Sequence, residues 1–265
     1  MNSNIEPIPN ILDMYFISRL RFVKLFTIIS AFIATTILGF LFLGCVSPTS
    51  MYSSVYLAKI EYNDTSELYP RISTYFKSIN NTGADALSIT LGYNGGCIEM
   101  NLNSTCYSYA VMTQLLKKYQ VPVVPNAKLQ LDIIQLSLAM GNSYHPNVLI
   151  TTIIMMVAQL LFLCYCSLPK APGIKRITMA GTILATIISI LWGFGSMLQH
   201  EAVTAAAGVT SPASMDIVIL KRGIKADAMT WSAFSFIVVV NIGSVVSLIH
   251  ILTREKNKPG VFSKA

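Results

Sequence analysis

Four long runs of apolar residues dominate the pattern of hydrophobic and polar positions along the chain. A bilayer core of about 30 Å requires roughly 20 apolar residues in a helix, and each run meets this length. None of the runs contains Asp, Glu, Lys or Arg, which suits burial among acyl chains. The pattern therefore predicts four transmembrane helices, at residues 25–46, 148–168, 177–198 and 230–252.

The composition also indicates a membrane protein. Hydrophobic residues make up 53% of the chain and charged residues only 12%, whereas soluble domains carry roughly 25% charged residues. The formal net charge is +7, but the basic residues flank the apolar runs instead of forming one basic face, so we expect no nucleic-acid partner. The lipid bilayer is the partner that this composition predicts.

Basic residues next to the apolar runs set the predicted orientation. Lys and Arg concentrate on the cytosolic side of membrane proteins, and here they cluster in the N-terminal segment 1–24, the connection 169–176 and the tail 253–265. Both termini are therefore predicted to be cytosolic. The N-terminal segment also carries apolar residues at helical spacing, which favours a short helix on the inner membrane surface; a frayed tail is the alternative.

The loops 47–147 and 199–229 are consequently predicted to be extracellular. Alternation of apolar and polar residues between 53 and 110 predicts an antiparallel sheet, and helical periodicity between 111 and 143 predicts two helices. Small residues at the start of the second loop favour an extension of the third span, and the apolar stretch after them favours an edge strand. All three sequons for N-linked glycosylation lie in the first loop, at Asn63, Asn80 and Asn103.

The cysteines divide between the predicted compartments. Cys97 and Cys106 are close in sequence on the outer side, where paired cysteines oxidise, so we expect a disulfide bond between them. The glycines of GYNGG, just before Cys97, suit a tight turn. Cys45 is expected to be a buried free thiol. Cys164 and Cys166, near the inner end of the second span, are candidates for palmitoylation, with simple packing as the alternative.

The predicted spans lack the ionisable groups that catalysis or ion coupling inside a membrane requires. Their polar residues Gln159, Asn241 and His250 are expected to form hydrogen bonds between helices. His145, His200 and His250 show no metal-ligand spacing among themselves, and no Cys-x-x-Cys occurs that would support zinc. We therefore predict no enzyme, no cofactor and no metal site.

Carboxylates in the first outer loop are a weak candidate for attracting cations. Hard cations such as Ca²⁺ prefer oxygen ligands. A solvated, charge-balanced surface is nevertheless favoured, because the same loop carries as many basic as acidic residues and no calcium-loop motif. The candidate residues are Glu61, Asp64, Glu67 and Asp85.

One motif resembles a known family. Four spans, a strand-rich first outer loop and a glycine-containing turn before two cysteines resemble the claudin-like superfamily, in which a Gly-Leu-x-x-Cys segment and a second cysteine pin the outer sheet. The stretches SSVYLAKIEYN and LGYNGGCIEM are similar to the fungal mating-induced calcium-regulator and membrane-fusion family, also called the factor-induced-gene family. Its members carry a Gly-Tyr-x-Gly-x-Cys turn, which corresponds here to Gly92, Tyr93, Gly95 and Gly96 before Cys97.

The resemblance implies a membrane fold of the α+β type: a four-transmembrane-helix bundle with a claudin-like extracellular antiparallel β-sheet. It also implies a plasma-membrane protein that regulates calcium influx and promotes cell–cell membrane fusion during fungal mating. Claudins carry tryptophans in the outer loop, whereas Trp192 and Trp231 lie in the predicted spans, so claudin-style barrier strands are not expected.

Two other functions stay open on the sequence alone. One is a cation-conducting pore subunit, with the outer carboxylates at its mouth. The other is a constitutive claudin-like protein that organises the membrane or responds to cell-wall stress. The partners expected besides the bilayer are a second copy of the chain, a channel or the surface of an opposing cell.

Overall fold

Four long apolar helices form the largest part of the computed structural model, which describes residues 11–78, 84–100, 103–115, 120–122, 130–143, 146–168 and 172–256. Within these residues, each of the four helices is long and apolar enough to cross a membrane. The prediction of four such helices is confirmed. They are α1 (Ile11–Phe42), α6 (Asn147–Ser167), α7 (Ile174–Ala213) and α8 (Ile224–Lys256).

Three of these helices are longer than the predicted spans. α1 continues without a break from Ile11 to Phe42, because no Pro or Gly that favours a break occurs between Ile11 and Gly39. Residues 11–24 therefore belong to the same helix as the first span. α7 has 40 residues. Its C-terminal part contains the run of small residues from which the sequence predicts an extension of the third span. α8 begins before the predicted fourth span.

Short helices and strands occupy the segments between the long helices. The short helices are α2 (Ser50–Ser53), α3 (Tyr69–Ser78), α4 (Tyr109–Met112) and α5 (Ile133–Ser143), with 3₁₀ turns at Ala84–Ala86 and Thr113–Leu115. The strands are β1 (Ala58–Tyr62), β2 (Ser88–Leu91), β3 (Gly95–Met100), β4 (Asn103–Ser108), β5 (Gln120–Pro122), β6 (Gln130–Asp132) and β7 (Val218–Arg222).

Five of the strands form one antiparallel sheet in the order β4-β3-β2-β1-β7. β1 pairs with β2 on one side and with β7, from the second loop, on the other. The predicted antiparallel sheet and the predicted edge strand in the second loop are both confirmed. β5 and β6 form a separate two-stranded sheet.

The five-stranded sheet has one apolar and one mixed face, as expected from the alternation of side chains along a strand. Directly paired residues share a face. The apolar face carries Ala58, Ile60, Ile89 and Leu91, none of which has exposed surface. The opposite face carries the charged residues of the same strands, and we call it the polar face.

Two helices in the first loop differ from the predicted pattern. α3 lies within the stretch that the alternating pattern assigns to strands; Ile72 and Phe76, four residues apart, are its buried residues and pack one side of the helix into the core. α5 begins at Ile133, later than the apolar stripe predicts. Its start is capped by Asp132, whose Oδ1 accepts hydrogen bonds from the backbone N–H groups of Ile134 (2.9 Å) and Gln135 (3.2 Å).

The chain forms two compact units. The first, called the bundle unit here, comprises Met1–Thr35, Ile154–Ile190 and Phe234–Ala265. The second, called the sheet unit, comprises Thr36–Ile153 and Leu191–Ala233 and contains both sheets.

Polar side chains connect the helices within the bundle unit. Gln159 Nε2 on α6 donates to Ser244 Oγ on α8 at 3.2 Å. Thr186 Oγ1 on α7 donates to Asn241 Oδ1 on α8 at 3.1 Å. For Gln159 and Asn241, the prediction of hydrogen bonds between helices is therefore confirmed.

Candidate functional site

A disulfide bond between Cys97 and Cys106 holds together the two strands at one edge of the sheet. The two residues are directly opposite each other in the register of β3 and β4. Cys97 has no exposed surface. β4 has only β3 as its neighbour in this sheet, so the bond reinforces an edge strand, which has backbone partners on one side only.

The glycines before Cys97 allow three close approaches of backbone to backbone. A Cβ atom at Gly92 would lie 2.5 Å from the carbonyl oxygen of Gly44, and one at Gly95 would collide with the carbonyl of Tyr107. A Cβ atom at Gly96 would lie 2.9 Å from the carbonyl oxygen of Thr90. The turn itself is closed by a 2.8 Å hydrogen bond from Gly92 N–H to the Gly95 carbonyl.

Two tyrosines fix this turn to its surroundings within the sheet unit. Tyr93 is buried, and its hydroxyl donates to Gln199 Oε1 on α7. Burial raises the pKa of the Tyr93 hydroxyl above its ordinary value, so the hydroxyl keeps its proton. The Tyr109 hydroxyl donates to the Gly92 carbonyl at 2.5 Å. The glycine turn is therefore held from both α7 and α4.

The segment after α1 lies against the polar face beside the disulfide. Cys45 is a buried free cysteine, as predicted, and its thiol lies 3.8 Å from Thr90 Oγ1. Its carbonyl oxygen is 3.6 Å from Cys97 Sγ. Cys45 has φ of 58°, in the left-handed region that non-glycine residues rarely adopt. This part of the polar face is thus covered by the chain itself.

The rest of the polar face carries a row of alternating charges across three strands. Lys59 Nζ on β1 lies 3.4 Å from Glu61 Oε2 and 3.6 Å from Glu99 Oε2 on β3. Lys221 on β7 forms an ion pair with the other oxygen of Glu61. Ser88 Oγ on β2 donates to Glu99 Oε2 at 3.1 Å. Two carboxylates of this face are thus paired with the ammonium groups of two lysines.

The two lysines lower the pKa of the Glu61 carboxyl group. Burial raises the pKa of this carboxyl, but the hydrogen bond and charge of Lys221 and the charge of Lys59 outweigh burial, and the net shift is below the ordinary value. The same contact with Glu61 raises the pKa of Lys221. Both charges of the pair are therefore stabilised in the folded protein.

These side chains line a groove of about 760 Å³ on the polar face, which we call the charged groove. Of the four carboxylates that are weak candidates for attracting cations, the structure brings Glu61, Asp64 and Asp85 to its lining, whereas Glu67 is not part of it. Asp85 Oδ2 accepts a 2.9 Å hydrogen bond from Ser73 Oγ. In the part of the chain that the structure describes, no three His, Cys, Asp or Glu residues are grouped so as to hold a metal ion.

A second charged cluster joins α7, β7 and α8. His200 Nδ1 lies 3.0 Å from Asp227 Oδ1, and Arg222 contacts both residues, with NH1 2.9 Å from His200 Nε2 and NH2 3.2 Å from Asp227 Oδ2. A guanidinium only donates, and Arg222 NH1 lies within reach of both ring nitrogens of His200, since it is also 3.3 Å from Nδ1. We call His200, Arg222 and Asp227 the three-residue clamp. Its members are 27 residues apart at most, and no residue spacing in the sequence points to it.

The predicted glycosylation sites differ in their surroundings. Asn103 is exposed at the first position of β4. Asn63 uses its side chain in the fold: Nδ2 donates to the Asp216 carbonyl at 2.9 Å, and Oδ1 accepts from Thr65 Oγ1 at 2.7 Å. Asn80 lies outside the described residues. Glycosylation of the three sequons stays a prediction.

The two candidates for palmitoylation also differ. Cys164 is exposed on α6, whereas Cys166 is half-buried and its Sγ lies 3.4 Å from Thr178 Oγ1 on α7. Cys164 is therefore the more accessible of the two thiols. Palmitoylation of either residue stays a prediction.

Comparison with known proteins identifies the family. Residues 74–250 match the model of the family described as "Ca²⁺ regulator and membrane fusion protein Fig1". The chain is also 28% identical over 264 residues to the Factor-induced gene 1 protein of Saccharomyces cerevisiae, in an alignment that covers 90% of this chain and 87% of that protein. The matched residues contain both disulfide cysteines, the glycine turn, and strands β2 and β3, which contribute to the charged groove. The chain belongs to the family of Ca²⁺ regulator and membrane fusion proteins.

Proposed function

We propose that this protein is a multi-pass plasma-membrane protein that regulates calcium influx and promotes cell–cell membrane fusion during fungal mating. The observation that carries the proposal is the family match over residues 74–250, because the description of that family contains both calcium regulation and membrane fusion. The name of the yeast relative adds induction by a factor. The proposal assigns no enzymatic reaction to the chain.

In this proposal the five-stranded sheet is a claudin-like extracellular sheet, and both termini are cytosolic. The sequons in the first loop and the basic segments 1–24, 169–176 and 253–265 support this orientation. The disulfide supports it as well, since such bonds persist in oxidising compartments. The charged groove is then open to the cell exterior, where it meets a channel, a second copy of the chain or an opposing cell.

The ion pairs of Glu61 and Glu99, two of the four carboxylates that line the groove, favour regulation over conduction. Lys59 and Lys221 each form an ion pair with Glu61, and Lys59 also pairs with Glu99. A carboxylate paired with an ammonium group attracts a free cation less than an unpaired one does. We therefore infer that the groove recognises a partner that carries both charge signs and that calcium enters through another protein.

The test compares the purified chain with the chain in cells. Calcium flux is measured into liposomes that contain the chain alone, and calcium uptake and fusion are measured in mating cells that lack the endogenous gene and carry this one. The proposal predicts no flux in liposomes but restored uptake and fusion in cells. A flux that falls after replacement of Glu61, Asp64 and Asp85 by their amides would instead identify a pore.

Induction separates the proposed function from a constitutive role in membrane organisation. A transcript that rises after treatment with mating factor supports the proposal. A transcript at the same level with and without the factor, together with normal fusion in deletion cells, would favour the constitutive role.

A further inference from the structure

A small cavity lies inside the bundle unit, and all four long helices contribute to its lining. Its volume is about 30 Å³, and one water molecule requires roughly 10–15 Å³ on this measure. The cavity therefore has room for a small guest, such as one or two waters or the polar end of a larger molecule.

One buried side chain in this cavity has an unused hydrogen-bonding atom. Gln159 has no exposed surface, and its Nε2 donates to Ser244 Oγ. Its Oε1 has no hydrogen-bond partner among the described residues. A Cβ atom at Gly181, another lining residue, would lie 3.8 Å from this oxygen. Gln159 Oε1 therefore points to the space that the missing side chain of Gly181 leaves open.

The hydroxyl groups around the cavity also present acceptors. A Ser or Thr hydroxyl has one proton, and here each proton already has a backbone acceptor: Thr27 donates to the Val23 carbonyl, Thr182 to the Thr178 carbonyl and Ser247 to the Gly243 carbonyl, at 2.8–2.9 Å. Thr182 Oγ1 also lies 3.3 Å from the Ser244 carbonyl on α8. The oxygen lone pairs of these side chains remain for a guest. A guest that fits must donate hydrogen bonds.

The charge of the guest is limited by Lys24, whose side chain also lines the cavity. Its Nζ donates to the Cys166 carbonyl at 3.3 Å. A positive guest is disfavoured by this ammonium group, and an anion is disfavoured by the acceptor atoms that face the cavity. A neutral hydroxyl satisfies both conditions, because it donates one hydrogen bond and carries no charge.

We propose that this cavity binds one neutral hydroxyl group, which donates to Gln159 Oε1. Two sources offer this chemistry: water, and a membrane alcohol such as a sterol or a diacylglycerol. Gln159 and Ser244 already connect α6 with α8. In either case the bound hydroxyl occupies the gap at Gly181 and so adds a contact with α7. The site is separate from the charged groove and does not depend on the proposed function.

The first experiment fills the gap. Gly181→Ala adds a methyl group at ordinary contact distance from Phe162 (3.7 Å) and from Gln159 Oε1 (3.8 Å), so it displaces the guest without a clash. Gly39→Ala is the matched control, because a Cβ atom there meets nothing within 4 Å and the change alters only helix propensity. We expect Gly181→Ala to lower the midpoint of thermal unfolding relative to Gly39→Ala.

A second variant returns the hydroxyl as part of the protein. Gly181→Ser places a hydroxyl near Gln159 Oε1, so it should unfold at a higher temperature than Gly181→Ala although Ser is the weaker helix former. Gly39→Ser against Gly39→Ala measures that propensity difference alone. A Gly181→Ala variant as stable as Gly39→Ala in every lipid condition, or a Gly181→Ser variant that gains nothing over Gly181→Ala in any of them, would overturn the proposal.

The lipid content of the sample identifies the source of the hydroxyl. The same variants are compared in delipidated detergent and in nanodiscs with and without a sterol or a diacylglycerol. An effect of Gly181→Ala in delipidated detergent identifies water as the guest. An effect that appears only with the added membrane alcohol identifies the lipid, and equal stability of Gly181→Ala and Gly39→Ala in every sample refutes the site.

Discussion

Removal of the disulfide should destabilise the sheet unit by an amount that the structure allows one to work out. The bond joins residues separated by nine positions in the sequence, so it closes a loop of about ten residues. The chain-entropy relation gives about 2.7 kcal/mol of stabilisation for such a loop at 25 °C. Because Cys97 is fully buried, replacement of its sulfur by hydrogen adds a packing loss of about 1 kcal/mol.

The perturbation is the double variant Cys97→Ala/Cys106→Ala, which leaves no unpaired thiol at either position. A total of roughly 4 kcal/mol corresponds to a decrease of about 10 °C in the unfolding midpoint for a chain of this size. Tryptophan fluorescence is a suitable assay, because Trp192 and Trp231 both belong to the sheet unit and Trp192 is buried. The signal therefore follows the unit that contains the bond.

Two controls separate the crosslink from other effects. Cys164→Ser removes an exposed free cysteine and should leave the midpoint unchanged. Reduction of the wild-type disulfide removes the crosslink without the loss of a sulfur atom, so it should reproduce most of the decrease. If both the double variant and the reduced wild type unfold within about 1 °C of the oxidised protein, the assumption that the bond lowers the conformational entropy of the unfolded chain is wrong.

Three further predictions concern the sheet unit. The pKa of Glu61 is lowered in the folded protein, so the stabilising effect of its carboxylate is complete above the pKa of the unfolded chain and is lost as the pH falls. In an acid titration of the unfolding midpoint, the wild type should therefore lose stability below about pH 4.3. Glu61→Gln should lose less stability over the same range. Gly92→Ala forces a Cβ atom against a backbone carbonyl and should cost about 2 kcal/mol, whereas the open Gly39→Ala should not; equal midpoints would contradict the close approach. Asp227→Asn weakens both contacts of the three-residue clamp and should cost about 1–2 kcal/mol in denaturant unfolding. Glu201→Gln, a change at an exposed carboxylate of α7, is the control, and an Asp227→Asn variant as stable as this control would contradict the role of the clamp.

The four long helices and the sheet were predictable because each follows from a local pattern. A run of about 20 apolar residues has few alternatives to a membrane-crossing helix, and alternation between Lys59 and Tyr62 indicates a strand with one buried face. α3 was missed because its two buried residues, Ile72 and Phe76, lie in a short segment whose neighbours alternate. Tyr69, Ile72, Tyr75 and Phe76 recur at helical spacing, but the strand pattern on both sides of this ten-residue segment extends across it in a reading by alternation.

The site itself was only partly predictable, because its contacts join distant segments. Glu61 is one of four weak candidates for attracting cations in the sequence, but Lys221, which pairs with it, lies in the other loop. The effect of that lysine on Glu61 follows only from the pairing of β1 with β7. The three-residue clamp lies within the second loop, but its contacts depend on how the end of α7, β7 and the start of α8 pack together, which no spacing of residues in the sequence indicates.

The position of β7 has a consequence for the biosynthesis of the protein. Ala58 pairs with Arg222, and Tyr62 with Val218, so β1 receives this neighbour only after the ribosome has made most of the chain. At about 5–20 residues per second, the interval is roughly 10–30 s. During this time the nascent chain exposes an unpaired strand edge, which is a template for pairing with other chains. The cell therefore has to protect β1 until the third long helix has been synthesised and the second loop has followed it.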